Sequence, residues 1–222
     1  MPPRAQSASA RAKQFGGPGR HELPREFVAI HKRRRIMDAI AELTAEQGYE
    51  ATKIGDIVRH AGVARKTLYD NFEGKEEVFL AAFDASVEEV MGRVEKACAG
   101  FDGEWEGRIE AGLGAFLAYV AEEPARARMC MVEAMSATPA ATRRYDDAVQ
   151  GFVELTGRSV PPSDQLPETI EETLVGGVAW IVHQKIRRHE ADTAMELLAE
   201  LAEFMLAPYR GVAEAEQGRV HA

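Results

Sequence analysis

Between Lys32 and Lys75 the chain gathers side chains suited to hold a polyanion and to read the edges of its bases. Arg65, Lys66, Thr67 and Tyr69 fall within five residues, so on a helix they fan over one broad outward face. Cations on such a face neutralise phosphates, and the Lys and Thr side chains can also bond base edges. Upstream, Lys32, Arg33, Arg34 and Arg35 form an unbroken basic run. Downstream, Lys75 precedes two glutamates.

These side chains need a scaffold, and the apolar spacing around them predicts one. Ile36, Ile40 and Leu43 lie at offsets of four and seven, which puts one stripe on one face of a first helix ended by Gly48. Thr52 is then expected to cap a second helix by accepting from free backbone N–H groups, with Ile54, Ile57 and Val58 inward and an end near His60. Ala61-Gly62-Val63 makes a tight turn. A third helix from Ala64 turns Leu68 and Phe72 inward at i and i+4 and leaves Arg65, Lys66, Thr67, Tyr69 and Asp70 outside. That is a helix-turn-helix, whose last helix can enter a major groove.

The run Gly48, Thr52, Ile57, Ala61-Gly62-Val63, Thr67-Leu68-Tyr69, Phe72, Lys75 and Glu76 resembles the signature of the TetR family of one-component transcriptional regulators. The resemblance covers residues of about 30 to 95, and the rest only by helical layout. It implies a homodimer with an N-terminal DNA-binding domain and a larger C-terminal domain that dimerises and usually binds a small molecule. By position it implies a phosphate contact for Thr52 and Lys75, and base and backbone contacts for Lys66, Thr67 and Tyr69. Ala64 stands where the family usually has a serine cap, forgoing about 1 kcal/mol. Asp70 and Asn71 replace more usual aromatic or basic residues, so base preference cannot be copied from relatives.

Composition fits a reading head on an acidic body. The 222 residues carry a net charge of −9, yet residues 1–75 hold 14 Lys/Arg against 9 Asp/Glu. The excess of acid lies beyond them, where it discourages wrong-way docking on DNA. Residues 1–24, rich in Ala, Ser, Gly, Pro and basic side chains, are expected to be a disordered arm. Cys98 and Cys130 make no disulfide framework and suit a reducing cytoplasm. No apolar run approaches the roughly 20 residues needed to span a bilayer, and the N-terminus lacks the core of a signal peptide, so no membrane partner is expected.

The remainder reads as all-helical. A fourth helix from about Lys75 to Ala99 carries Phe79, Phe83, Val87, Val90 and Val94 on one face, and five further segments follow near 104–122, 124–136, 139–158, 167–188 and 190–206. The expected units are a helix-turn-helix over 25–74, a dimerisation and effector-binding domain over 75–210, and a flexible tail over 211–222. Leu174 to Val182 is apolar nearly all round and must be covered on two sides. Leu174, Val178, Ile181, Leu198, Leu201 and Met205 are therefore assigned to a dimer interface built as a four-helix bundle, with Gly176 and Gly177 allowing close approach. Phe116, Tyr119, Met129, Met135, Tyr145, Phe152 and Trp180 are the expected lining of a cavity for a small apolar effector. Glu133, alone among apolar neighbours, is expected to face water.

No nucleophile elbow, phosphate loop, zinc-protease helix or dinucleotide glycine pattern occurs, and the histidines sit at no metal-ligand spacing. No catalysis, cofactor or metal is expected. The sequence therefore supports a cytoplasmic, homodimeric regulator, most simply a repressor, that holds a double-stranded DNA operator and is released by an effector. A helical protein-interaction scaffold without specific DNA binding is the alternative; it would need neither the basic run nor the Lys66-Thr67-Tyr69 face.

Overall fold

The computed structural model describes residues 25–220, and among them it contains helices and no strand. Helices α1 (Arg25–Gln47), α2 (Ile54–His60) and α3 (Arg65–Tyr69) form the reading head, and α4 (Lys75–Ala99) leads into the body. The body comprises α5 (Trp105–Glu122), α6 (Pro124–Arg128), α7 (Ala134–Ala137), α8 (Pro139–Ser159), α9 (Ile170–Arg187) and α10 (Leu198–Val220). A π-helical turn, Met129–Glu133, joins α6 to α7, and a 3-10 segment, Ala191–Leu197, precedes α10. The expected arm over residues 1–24 lies outside the described residues. Helix α10 continues through residues 211–220, which the sequence reading assigned to a flexible tail.

Two glycines set the head's corners. Gly48 has φ 83° after α1 and Gly62 has φ 60° between α2 and α3, a region that L side chains enter only at a cost. Ile36 and Ile40 of α1, Ile57 of α2, Leu68 of α3 and Phe79 and Phe83 of α4 are fully or almost fully buried together. Each contributes about 1.5–3 kcal/mol relative to exposure. Met129 and Ala134 belong to the same cluster, so head and body share one core there.

Charge ties the same seam. Arg126 of α6 donates to Asp38 of α1 at 2.6 Å and to Glu89 of α4 at 2.8 Å, and Arg93 bridges Glu89 and Glu122. Arg126 is mostly buried, so removing one carboxylate leaves a poorly solvated cation.

Four of the six assigned dimer residues require correction. Leu174, Val178, Leu201 and Met205 are buried within the monomer, and Ile181 and Leu198 are half-buried. A helix apolar on two sides does not reveal by period which side its own core takes. The face left open carries Gly176, Trp180 (62% exposed) and Phe204 (41%). Gly177 serves its own chain, because a Cβ there would stand 3.0 Å from the Phe204 ring.

Candidate nucleic-acid interface and effector cavity

Helix α3 starts at Ala64 without a side-chain cap, as its composition requires, and buries Leu68. Arg65, Lys66, Tyr69 and Asp70 are exposed around it and Thr67 is half-exposed. The Arg65 guanidinium lies 5.9 Å from the Tyr69 ring centroid, so the two side chains share one outward patch. The helix is shorter than expected: Asn71 turns back, its amide donating to the Thr67 carbonyl at 2.7 Å.

The basic run is not uniform, because Lys32 to Arg35 sit in mid-helix and point in four directions. Arg33 faces inward, 4.1 Å above the Phe72 ring and donating to the Asn71 carbonyl at 2.9 Å. Arg34 and Arg35 are exposed and Lys32 half-exposed; Arg35 also reaches the Gly62 carbonyl at 3.4 Å.

Thr52 departs from the expected cap. It is fully buried, donating to the Gly48 carbonyl at 2.8 Å, while Lys53 stands at the start of α2 with its N–H bonded to Asp56 at 3.2 Å. The left-handed turn at Gly48 draws the threonine under the helix rather than onto its first turn. Lys75 donates to the Tyr49 carbonyl at 2.9 Å and lies 3.9 Å over that ring.

Within the body an apolar cavity of about 140 Å³ runs beside α4. Its α4 wall extends from Phe83 through Ser86, Val90 and Val94 to Cys98, sixteen residues or about 22 Å of helix. Small volume along that length makes a thin slot. Among the described residues no Asp, Glu, Lys, Arg or His lines it. Of the expected residues, Phe116, Tyr119, Tyr145 and Phe152 do line it, and Phe116 and Phe152 meet edge to face at 5.7 Å.

Met129, Met135 and Trp180 do not. Met129 is fully buried in the head–body core, whereas Met135 and Trp180 are exposed along an outer groove, the Trp180 ring stacked on His183. The π turn explains both methionines. One surplus residue shifts the helical face, so Cys130 and Met131 take the cavity wall instead. Burial pushes the Cys130 thiol up to about 12, so it stays protonated.

Glu133, expected in water, ends that π turn and reaches the head. Its Oε2 accepts from the Tyr49 N–H at 3.2 Å, and Arg128 approaches its other oxygen at 3.8 Å. His183 Nδ1 lies 2.7 Å from the Met131 carbonyl in the same turn. Among the described residues no three His, Cys, Asp or Glu side chains gather as a metal site, and no helix is long and apolar enough to cross a membrane.

The head, with its exposed third helix, has the arrangement of a helix-turn-helix, and it is carried on a larger helical body. Residues 36–82 match the model for bacterial regulatory proteins of the tetR family. The fatty acid metabolism regulator protein of Bacillus subtilis is 34% identical over 65 residues, 29% of this chain and 34% of that protein. The transcriptional activator FasR of Mycolicibacterium smegmatis is 30% identical over 77 residues, 35% of this chain and 33% of that one. These matches thus span about a third of the relatives' length. The fold likeness is wider. FadR from Bacillus halodurans aligns with a TM-score of 0.70 at 16% identity, over 78% of this chain and 97% of that one. FadR from Bacillus subtilis in complex with stearoyl-CoA gives 0.67 at 18%, over 78% and 96%.

Proposed function

We propose that this protein is a cytoplasmic, homodimeric transcriptional repressor that holds a palindromic operator and is released when a long, thin apolar ligand enters the body cavity. One observation carries the reading: the π turn that walls the cavity with Cys130 and Met131 also holds the head through Glu133 and Tyr49. A ligand pressing on that wall changes the position of the head. It shifts the equilibrium only by binding the DNA-free arrangement better than the DNA-bound one.

The ligand class follows from the cavity's shape and charge. A slot without Asp, Glu, Lys, Arg or His suits an alkyl or acyl chain, whose charged part, if any, stays outside. The likeness to a fold solved with stearoyl-CoA supports an acyl chain. Arg65, Lys66, Thr67 and Tyr69 are the proposed recognition residues, with Lys32, Arg34, Arg35 and Lys75 on phosphates. Two-fold symmetry then places half-sites about 34–36 Å or a multiple apart.

Footprinting on DNA flanking its own gene, with and without an acyl-CoA series, tests the reading. Protection of a palindrome that fades with one chain length supports it. Uniform weak coverage of any DNA, unaffected by acyl-CoA, overturns it.

A further inference from the structure

Tyr119 carries a hydroxyl that the fold leaves without use. The residue is 3% exposed, and among the described residues its buried hydroxyl has no hydrogen-bond partner. The ring forms part of the cavity wall, and the Arg93 guanidinium lies 5.1 Å from its centroid. Ser86, whose hydroxyl approaches the phenol without making a bond of good geometry to it, and Cys130 line the same cavity from α4 and the π turn. Ser86 already donates its hydrogen to the Ala82 carbonyl at 2.8 Å. The hydroxyl, the serine oxygen and the thiol therefore form one polar corner in a mostly apolar slot, apart from Tyr145, Thr156, Ser159 and Cys98 elsewhere on its wall.

A buried hydroxyl without a partner destabilises the fold unless something completes it. Two cations lie near this corner, and both are engaged, Arg93 by Glu89 and Glu122 and Arg126 by Asp38 and Glu89. An ionised carboxylate would find no free positive charge here and would lose its hydration. A neutral group loses far less and gains the bond. Burial holds the phenol proton up to about 12, so Tyr119 donates across the physiological range.

We infer that Tyr119 is the specificity-determining contact of the cavity, selecting an apolar chain that bears a neutral hydrogen-bond acceptor, such as a hydroxyl, ester or thioester oxygen, over plain hydrocarbon or a free carboxylate. This rests on the reading of the cavity as the effector site. Entry of such a group completes the one unmet bond at the wall adjoining the Arg126 cluster, where head and body are tied. Recognition and release then share a location.

The test uses the full chain and its Tyr119→Phe variant, with Nile red displaced by 1-octanol, n-octane or octanoate at pH 8. The wild-type protein binds 1-octanol more tightly than either other probe. The variant loses about tenfold for 1-octanol and keeps or gains affinity for n-octane, the size of one hydrogen bond. Without ligand, the variant melts no lower than wild type, and up to about 2–4 °C higher, because an unmet polar group has gone.

An equal change for 1-octanol and n-octane, or a lower melting temperature, means the hydroxyl is satisfied inside the fold and overturns the inference while the cavity reading stands. Octanoate binding as tightly as 1-octanol overturns the neutral class. Failure of every probe to displace the dye from either protein sinks the effector site as well.

Discussion

Glu133 accepts a hydrogen bond from the backbone N–H of Tyr49, 84 residues away in sequence, and Lys75 donates to the carbonyl of that same residue. Both backbone polar groups of Tyr49 are thereby held from outside the head, one by the π turn and one by the start of α4, the carbonyl also accepting from the Thr52 N–H. A buried backbone N–H seldom goes unpaired, so withdrawal of Glu133 costs the turn its partner unless water replaces it.

Replacing Glu133 by Ala should therefore separate binding from response. Wild-type protein is expected to lose about 5- to 150-fold in operator affinity when the cavity fills, the usual span of allosteric coupling. The variant should retain ligand binding and show less than a twofold change. Parallel operator titrations with and without ligand decide it; an undiminished response in Glu133→Ala removes the π turn from the pathway.

The DNA face and the buried threonine should part company. Tyr69→Ala or Lys66→Ala is expected to weaken operator binding with little change in melting temperature, and Lys66→Ala should also reduce the salt slope by up to about one if it meets a phosphate. Thr52→Ala should instead lower stability by about 1 kcal/mol through the lost bond to Gly48. A Thr52→Ala protein of normal stability and poor DNA binding would restore the phosphate role that the resemblance implies.

Assembly should respond to the open face rather than the buried one. Val178→Arg places a charge in the monomer's own core and is expected to unfold it. Gly176→Arg adds bulk where nothing lies within 4 Å of a Cβ, so each monomer stays folded while a partner packed on Trp180 is displaced. Sedimentation and circular dichroism of both variants check this; a Gly176→Arg protein that remains dimeric puts the interface elsewhere.

Stability should fall in alkali. Burial raises the Cys130 thiol from near 9 to about 12, so between those values the folded chain keeps a proton that the unfolded chain has lost. Fewer protons on the unfolded state means stability declines as pH rises through that window. Urea midpoints at pH 8 and pH 10 should differ more for the wild type than for Cys130→Ala. Equal declines would show that this thiol does not set the slope.

Much of the head was legible because Gly48, Gly62 and the Ile36, Ile57 and Leu68 spacings are local signals with few competing readings. The break near residue 100 and the first-turn proline Pro124 likewise mark helix ends, whereas Pro167, expected in the first turn of the segment 167–188, stands three residues before α9 begins at Ile170. Site assignments failed where the period itself changes. A 3.6-residue repeat carried through Met129–Glu133 aims Met129 at the cavity and Glu133 at water, and the structure does neither. Helix α9 failed differently: with two apolar stripes, Val178 and Trp180 are equally hydrophobic in sequence, and only the packing of α5 and α10 selects which is covered. Arg33 was indistinguishable from its basic neighbours until Phe72 lay beneath it.

A π turn is an α-helix carrying one surplus residue, and the bulge absorbs the roughly 100° of rotation that residue would otherwise impose. Loss of a single codon within 129–133 would let the segment relax to an ordinary helix, with α7 and everything beyond still facing as before. Only the few side chains inside the segment would change direction. Such a deletion is expected to leave a chain that folds as before while Glu133 loses its reach to the Tyr49 N–H, so that head and body are no longer tied at this point.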